Sequence, residues 1–165
     1  MDKKKFAFTS EDIYYRSATE EDAKIIFSFI NHESIRSNSY SSEKINWEEH
    51  QNWFNKTLAS PNAVIIICLN ENNEFLGQVR FNTSNIDNTI TVSIFVNQNF
   101  HSKGLGTKLL KDLSQIALKA FKAEKIIAHI KSDNIGSIKA FKKAGYVFYQ
   151  EKIIKEIESV ELVYK

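Results

Sequence analysis

Between Thr89 and Leu113 the chain reads TITVSIFVNQNFHSKGLGTKLLKDL, and no other stretch restricts the fold so tightly. Ile90, Val92, Ile94 and Val96 fall on one face, and Thr89, Thr91, Ser93 and Phe95 on the other. That alternation is the period of a strand. A basic turn with two glycines follows, His101-Ser102-Lys103-Gly104-Leu105-Gly106-Thr107. Beyond it, Leu105, Leu109, Leu113, Ile116 and Ala120 form an apolar stripe opposite Lys108, Lys111, Gln115 and Lys119, which is helical spacing. A strand that feeds a glycine turn and then a helix makes an anion site. The first-turn N–H groups lack intrahelical partners, and the helix dipole favours negative charge there. Glycine lets the backbone approach a ligand closely. The P-loop string GxxxxGK[ST] is absent, and GxGxxG fails because Leu109 stands where the third glycine belongs.

The turn resembles the pyrophosphate loop of the GNAT superfamily of acetyl-CoA-dependent N-acetyltransferases. That pattern is Arg/Gln-x-x-Gly-x-Gly/Ala after a strand ending in an x-Val pair. Phe95-Val96 supplies the pair, and His101 stands where Arg or Gln is usual. Downstream, Asn134, Ser137, Phe141, Gly145 and Tyr146 resemble the second signature, Asn-x-x-Ser/Ala, then an aromatic, then Gly-Phe/Tyr. Local physics agrees. Asn134 is a good N-cap, Ile135, Ile138 and Phe141 make a buried stripe, and Gly145 sits where a helix ends in the left-handed conformation.

The resemblance covers Tyr14 to Tyr164. It implies an α/β fold with a mixed, mostly antiparallel central sheet of about seven strands flanked by about four helices. Two parallel central strands would splay apart and admit the pantetheine arm of acetyl-CoA, the implied cofactor. The implied cofactor-binding residues are Ile94, Phe95, Val96, His101, Ser102, Lys103, Gly104, Leu105, Gly106, Thr107, Asn134, Ser137 and Phe141.

Composition sets the class. At 165 residues one domain is the default, and we draw it as 13–165 after an N-terminal extension of 1–12. The net charge of +2 is too small to argue for nucleic acid. Cys68, the lone cysteine, lies in the apolar run Val64–Leu69 and reads as a small buried hydrophobe. No run approaches membrane-spanning length, and MDKKKFAFTSED holds no signal-peptide core. The expectation is a cytoplasmic protein with no membrane partner and no metal.

Residues 13–18 read as a strand. Thr19 to Asp22 resembles a capping box that opens a helix with Ala23, Ile26, Phe27 and Ile30 buried. Residues 31–44 read as irregular. Asn46 opens a second helix with Trp47, His50, Phe54 and Leu58 on one face. Val64–Leu69, Phe75–Phe81 and Thr89–Val96 form a meander, the first apolar on both faces and so central. Lys125–Ile130 is a strand, Asn134–Ala144 a helix, and Tyr146–Ile154 with Ile157–Tyr164 a closing hairpin. That apolar hairpin could pair across a homodimer.

Acetyl transfer to an amine needs a neutral amine, a donor for the developing oxyanion, and a proton for the leaving sulfur. Many relatives place a tyrosine at the position of Phe141, which has no proton to give. A lost general acid costs on the order of 10²–10⁴ in rate. The strand 89–96 carries no carboxylate where some relatives place a base.

For the acceptor, Asn31 to Ser39 followed by Trp47, His50, Trp53 and Phe54 resembles a GNAT branch that acetylates nucleotide-linked amino sugars in bacterial surface-glycan pathways, including pseudaminic acid synthesis. In that reading Arg36, Trp53, Gln78 and Arg80 meet the acceptor and His50 acts as proton relay or sugar holder. The acceptor is a small-molecule amine. Acetylation of ribosomal-type protein N-termini is an alternative that the same segment permits. A non-catalytic CoA-binding module is another, motivated by Phe141 and His101. His129, within a strand, reads as structural.

Overall fold

A computed structural model describes residues 3–83, 88–101 and 103–165. Among them, eight strands form one sheet in the order β1-β2-β3-β4-β5-β6-β8-β7. The strands are β1 (Phe8–Ser10), β2 (Ile13–Ser17), β3 (Ala63–Asn70), β4 (Phe75–Thr83), β5 (Thr89–Val96), β6 (Lys125–Lys131), β7 (Val147–Ile154) and β8 (Ile157–Tyr164). Five α-helices accompany them: α1 (Ala23–Ile30), α2 (Glu33–Arg36), α3 (Trp47–Ala59), α4 (Leu105–Phe121) and α5 (Ile135–Lys143). The α/β mixed sheet is as expected, with one strand and one helix beyond the seven and four.

The additional strand moves the domain boundary. Phe8–Ser10 pairs antiparallel with β2, Phe8 stacks on Tyr15 at 4.6 Å, and Phe6 is fully buried in the core. Phe8–Ser10 therefore belongs to the sheet and Phe6 to the core, not to an appended extension. The additional helix, α2, is one turn inside the serine-rich segment, opened by His32, whose side chain accepts from the Ser34 N–H.

β3 is buried on both faces. Val64, Ile66 and Cys68 join a core with Leu109, Leu110 and Leu113 of α4. Ile65 and Ile67 join a second core with Ile26 of α1 and Phe54 of α3. Asp22 closes the expected capping box: it accepts the Thr19 N–H at 2.7 Å and takes both terminal nitrogens of Arg16 at 2.7 Å. The C-terminal hairpin forms, but β8 lies between β6 and β7, so β7 is an edge strand. Val147, Phe148, Tyr149 and Ile153 are exposed along it.

All pairings are antiparallel except β5 with β6. That parallel ladder holds only Thr89 to Thr91 against Lys125 to Ile127. The two strands part beyond it, so the edge of β5 from Val92 to Val96 has no partner strand on the β6 side. No described helix is long and apolar enough to cross a membrane. No metal-holding cluster occurs among the described residues.

Candidate active site

The gap is held open from the β4 side. A bulge opposite Cys68 and Leu69 leaves Leu76 without a register partner. Its carbonyl accepts the Asn97 N–H at 2.8 Å. Buried Asn97 also donates its side-chain amide to the Phe75 carbonyl at 2.9 Å and accepts the Asn99 N–H at 3.1 Å. These bonds pin the C-terminal end of β5. His101 then donates Nε2–H back to the Val96 carbonyl at 2.9 Å, bracing the corner before the helix.

Gly104 N-caps α4 in the left-handed conformation, φ 75°, which only glycine adopts freely. A Cβ there would meet no atom within 4 Å, and one at Gly106 would touch only the Val96 side chain at 3.8 Å. The turn is therefore open above its first-turn N–H groups, which fits a phosphate lodged close to the backbone. Thr107 donates its hydroxyl to the Ala140 carbonyl at 3.3 Å and ties α4 to α5. Asn134 caps α5, accepting the Ser137 N–H at 3.1 Å.

The far end of α5 explains its aromatic. Gly145, φ 100°, donates to the Lys142 carbonyl and Tyr146 to the Phe141 carbonyl, both at 3.1 Å. This pattern closes a helix with a hydrophobic contact across it. Phe141 and Tyr146 make that contact edge to face, 4.9 Å between centroids.

A cleft of about 940 Å³ runs through the gap. Ile94 to Val96, His101, Gly104 to Thr107, Asn134, Ser137 and Phe141, all expected from sequence to meet the cofactor, line one side of it. Trp53, Gln78, Arg80 and His50 line the other side. Ser102 lies outside the described residues.

Three expected site residues are used differently. Arg36 is buried and absent from the cleft wall; its guanidinium donates to the Ser41 carbonyl and folds the loop after α2. Lys103 does not reach the cleft and rests over the Phe100 ring at 5.7 Å. His50 is 1% exposed and donates Nε2–H to the Ala23 carbonyl at 2.9 Å. Its ring packs among Phe27, Trp47, Trp53 and Phe54, and its Nδ1 is sealed without a partner. Burial outweighs the Ala23 bond and pushes its pKa below the ordinary value. His50 is thus a neutral pin between α1 and α3.

The structure lines the cleft with residues that the sequence did not assign to the site, among them His129, which reads as structural from sequence alone. His129 of β6 lines the cleft and donates Nε2–H to Glu161 of β8 at 3.0 Å. Burial alone would raise the Glu161 carboxyl, but the bonds from His129 and Lys152 outweigh it and hold it below its usual range. Lys139 and Lys143 on α5 also line the cleft, and Glu49 is the one carboxylate among its lining residues. A strap ties the segment after α2 to β6 and β8. Tyr40 donates its hydroxyl to Ser159 of β8 at 2.9 Å, and Lys131 of β6 donates to the Ser37 carbonyl at 2.8 Å. The alternation in Lys125–Lys131 puts His129 off the buried face, but its pairing with Glu161 follows only from the β6-β8 neighbourhood.

An anion-binding helix terminus beside a gap in a sheet suits a protein that threads an extended, phosphate-bearing cosubstrate between two strands. A family model described as an acetyltransferase (GNAT) domain matches residues 12–147, and the chain belongs to that family. Spermidine N-acetyltransferase from Vibrio cholerae, solved with CoA and spermine, shares the fold. The TM-score is 0.84 at 14% identity, over 94% of this chain and 96% of that one. Aminoglycoside acetyltransferase AAC(6')-Ib with coenzyme A gives a TM-score of 0.79 at 19% identity, over 92% and 94%. These names are of polyamine and aminoglycoside enzymes, not of the amino-sugar and ribosomal-protein branches expected from the segment Asn31 to Phe54. Comparison with curated proteins returned no match.

Proposed function

We propose that the protein is an acetyl-CoA-dependent N-acetyltransferase whose acceptor is a small polar primary amine, an amino sugar, free or nucleotide-linked. The parting of β5 from β6 beside the Gly104 turn is the observation that carries this reading. Bound there, acetyl-CoA supplies an acetyl group activated as a thioester. The first-turn N–H groups of α4 receive its pyrophosphate, with Lys139 and Lys143 adding positive charge on the same wall. The unpaired edge of β5 offers backbone groups to the pantetheine amides.

One observation favours a small acceptor over a protein N-terminus, and another disfavours a polycation. The strap from Ser37 to Tyr40, bonded to β6 and β8, narrows the acceptor side where a peptide would need a long open groove. A polycation is poorly matched as well, because Glu49 is the only carboxylate among the described lining residues and Arg80 adds a positive charge to them. For the proton, His129 is better placed than His50. With Nε2–H given to Glu161, Nδ1 is the unprotonated nitrogen of the neutral ring, so His129 can accept a proton from the acceptor's ammonium. Glu161 holds the ring and its tautomer.

The test is release of free thiol from acetyl-CoA with a panel of amines: a nucleotide-linked amino sugar, the free amino sugar, an N-terminal peptide and spermidine. The reading predicts the highest kcat/KM for the sugar amines. A peptide or spermidine that outruns both sugars would remove it.

A further inference from the structure

Arg80 carries a charge that the protein does not neutralise. It lies on the face of β4 toward α3, between Ile65 of β3 and Ser93 of β5 in register. Its guanidinium sits over the Trp53 ring at 5.1 Å. Among the described residues no carboxylate pairs with it, and its Nε is buried without a hydrogen-bond partner. Burial alone pulls its pKa down. A half-buried guanidinium with a sealed Nε and no counter-charge is costly to fold, and this one opens onto the acceptor side of the cleft.

Gln78 stands two residues earlier on the same face, about 6–7 Å along the strand. It is 5% exposed, and its Oε1 is sealed without a donor. The two orphans are complementary in kind: Arg80 lacks an acceptor, and Gln78 lacks a donor. One ligand with an anionic group and a neighbouring O–H or N–H satisfies both.

We infer that the amine acceptor bears a phosphate or carboxylate, which Arg80 holds with its guanidinium while Gln78 accepts a hydrogen bond from an adjacent hydroxyl or amine. This rests on the acetyltransferase reading of the cleft and narrows its substrate to anionic amines. Trp53 fixes the guanidinium plane by stacking, and the planar fork suits either oxyanion. Arg36, the fork expected from sequence, is engaged with Ser41 and leaves this role to Arg80.

The test compares wild type, Arg80→Gln and Arg80→Lys by thermal denaturation, each free and saturated with CoA, in inorganic phosphate, acetate or chloride at matched ionic strength. CoA binding is followed in the same samples by calorimetry, so loss of the acetyltransferase reading registers separately as absent CoA binding. Over chloride, phosphate or acetate should raise the wild-type Tm by about 2–4 °C. That increment should vanish in Arg80→Gln and survive in part in Arg80→Lys. A larger increment in phosphate assigns the group as phosphoryl, and a larger one in acetate as carboxylate. Equal increments in wild type and Arg80→Gln, or none in wild type, overturn the inference whether or not CoA binds.

Discussion

A Cβ on Gly77 would lie 2.4 Å from the carbonyl oxygen of Phe95. This close approach of β4 to β5 sits where the ladder to β6 has already ended, so Gly77 sets how β5 leaves the sheet. Gly77→Ala should push Phe95 and Val96 outward, cost about 1–3 kcal/mol in stability, and weaken acetyl-CoA binding. Urea denaturation with calorimetry checks both. An unchanged acetyl-CoA affinity would mean that the cosubstrate does not depend on this edge.

His50 makes a pH prediction. Its folded pKa is depressed by burial, while the unfolded value is about 6.5. As pH falls below that, the unfolded chain takes up a proton that the folded one refuses, so stability declines. His50→Gln, whose amide can still donate to Ala23, should flatten the dependence of ΔG on pH between about 5 and 7 and leave kcat near wild type. A large selective loss of kcat would restore His50 as a relay.

His129→Gln should lower kcat by about 10²–10⁴ with acetyl-CoA affinity unchanged. Glu161→Gln leaves the ring in place without its carboxylate, so its loss should be smaller and should shift the acid limb of the pH–rate profile. Steady-state kinetics across pH decide. Equal loss of stability in both variants with unchanged rates would make the pair purely structural.

Phe141→Tyr tests the position where relatives carry an acid. Phe141 is 3% exposed and clasps the end of α5 against Tyr146. It also lines the cleft, so a hydroxyl on its ring has room on that side. We expect little change in Tm and a rise in kcat. A fall in Tm without a rate gain would mark a hydroxyl left unpaired, at about 1–3 kcal/mol.

Local signals were legible in the sequence and long-range ones were not. The alternation of Thr89–Val96, the glycines at 104 and 106, the Asn134 cap and the Gly145 stop are each set by neighbours a few residues away, and each took its expected place. β1 was missed because three residues beside a lysine run carry too short a pattern, although Phe6 and Phe8 anchor it. The placement of β8 between β6 and β7 depends on pairing across the whole C-terminal third, and with it the contact of His129 with Glu161. Arg36 lies among serines and Arg80 between Val79 and Phe81, and neither setting shows what the charge meets. Only the tertiary fold distinguishes one clasped to its own loop from one left unpaired at the cleft.

The central claim is that the parted strands and the Gly104 turn bind acetyl-CoA. Titration calorimetry of acetyl-CoA into wild type and Gly104→Asp tests it most directly. The aspartate puts a carboxylate where pyrophosphate belongs and a Cβ on a left-handed backbone, and that Cβ meets no protein atom within 4 Å. The account predicts saturable binding to wild type and its loss in a folded Gly104→Asp. Equal binding by the two, or none by wild type, would contradict it.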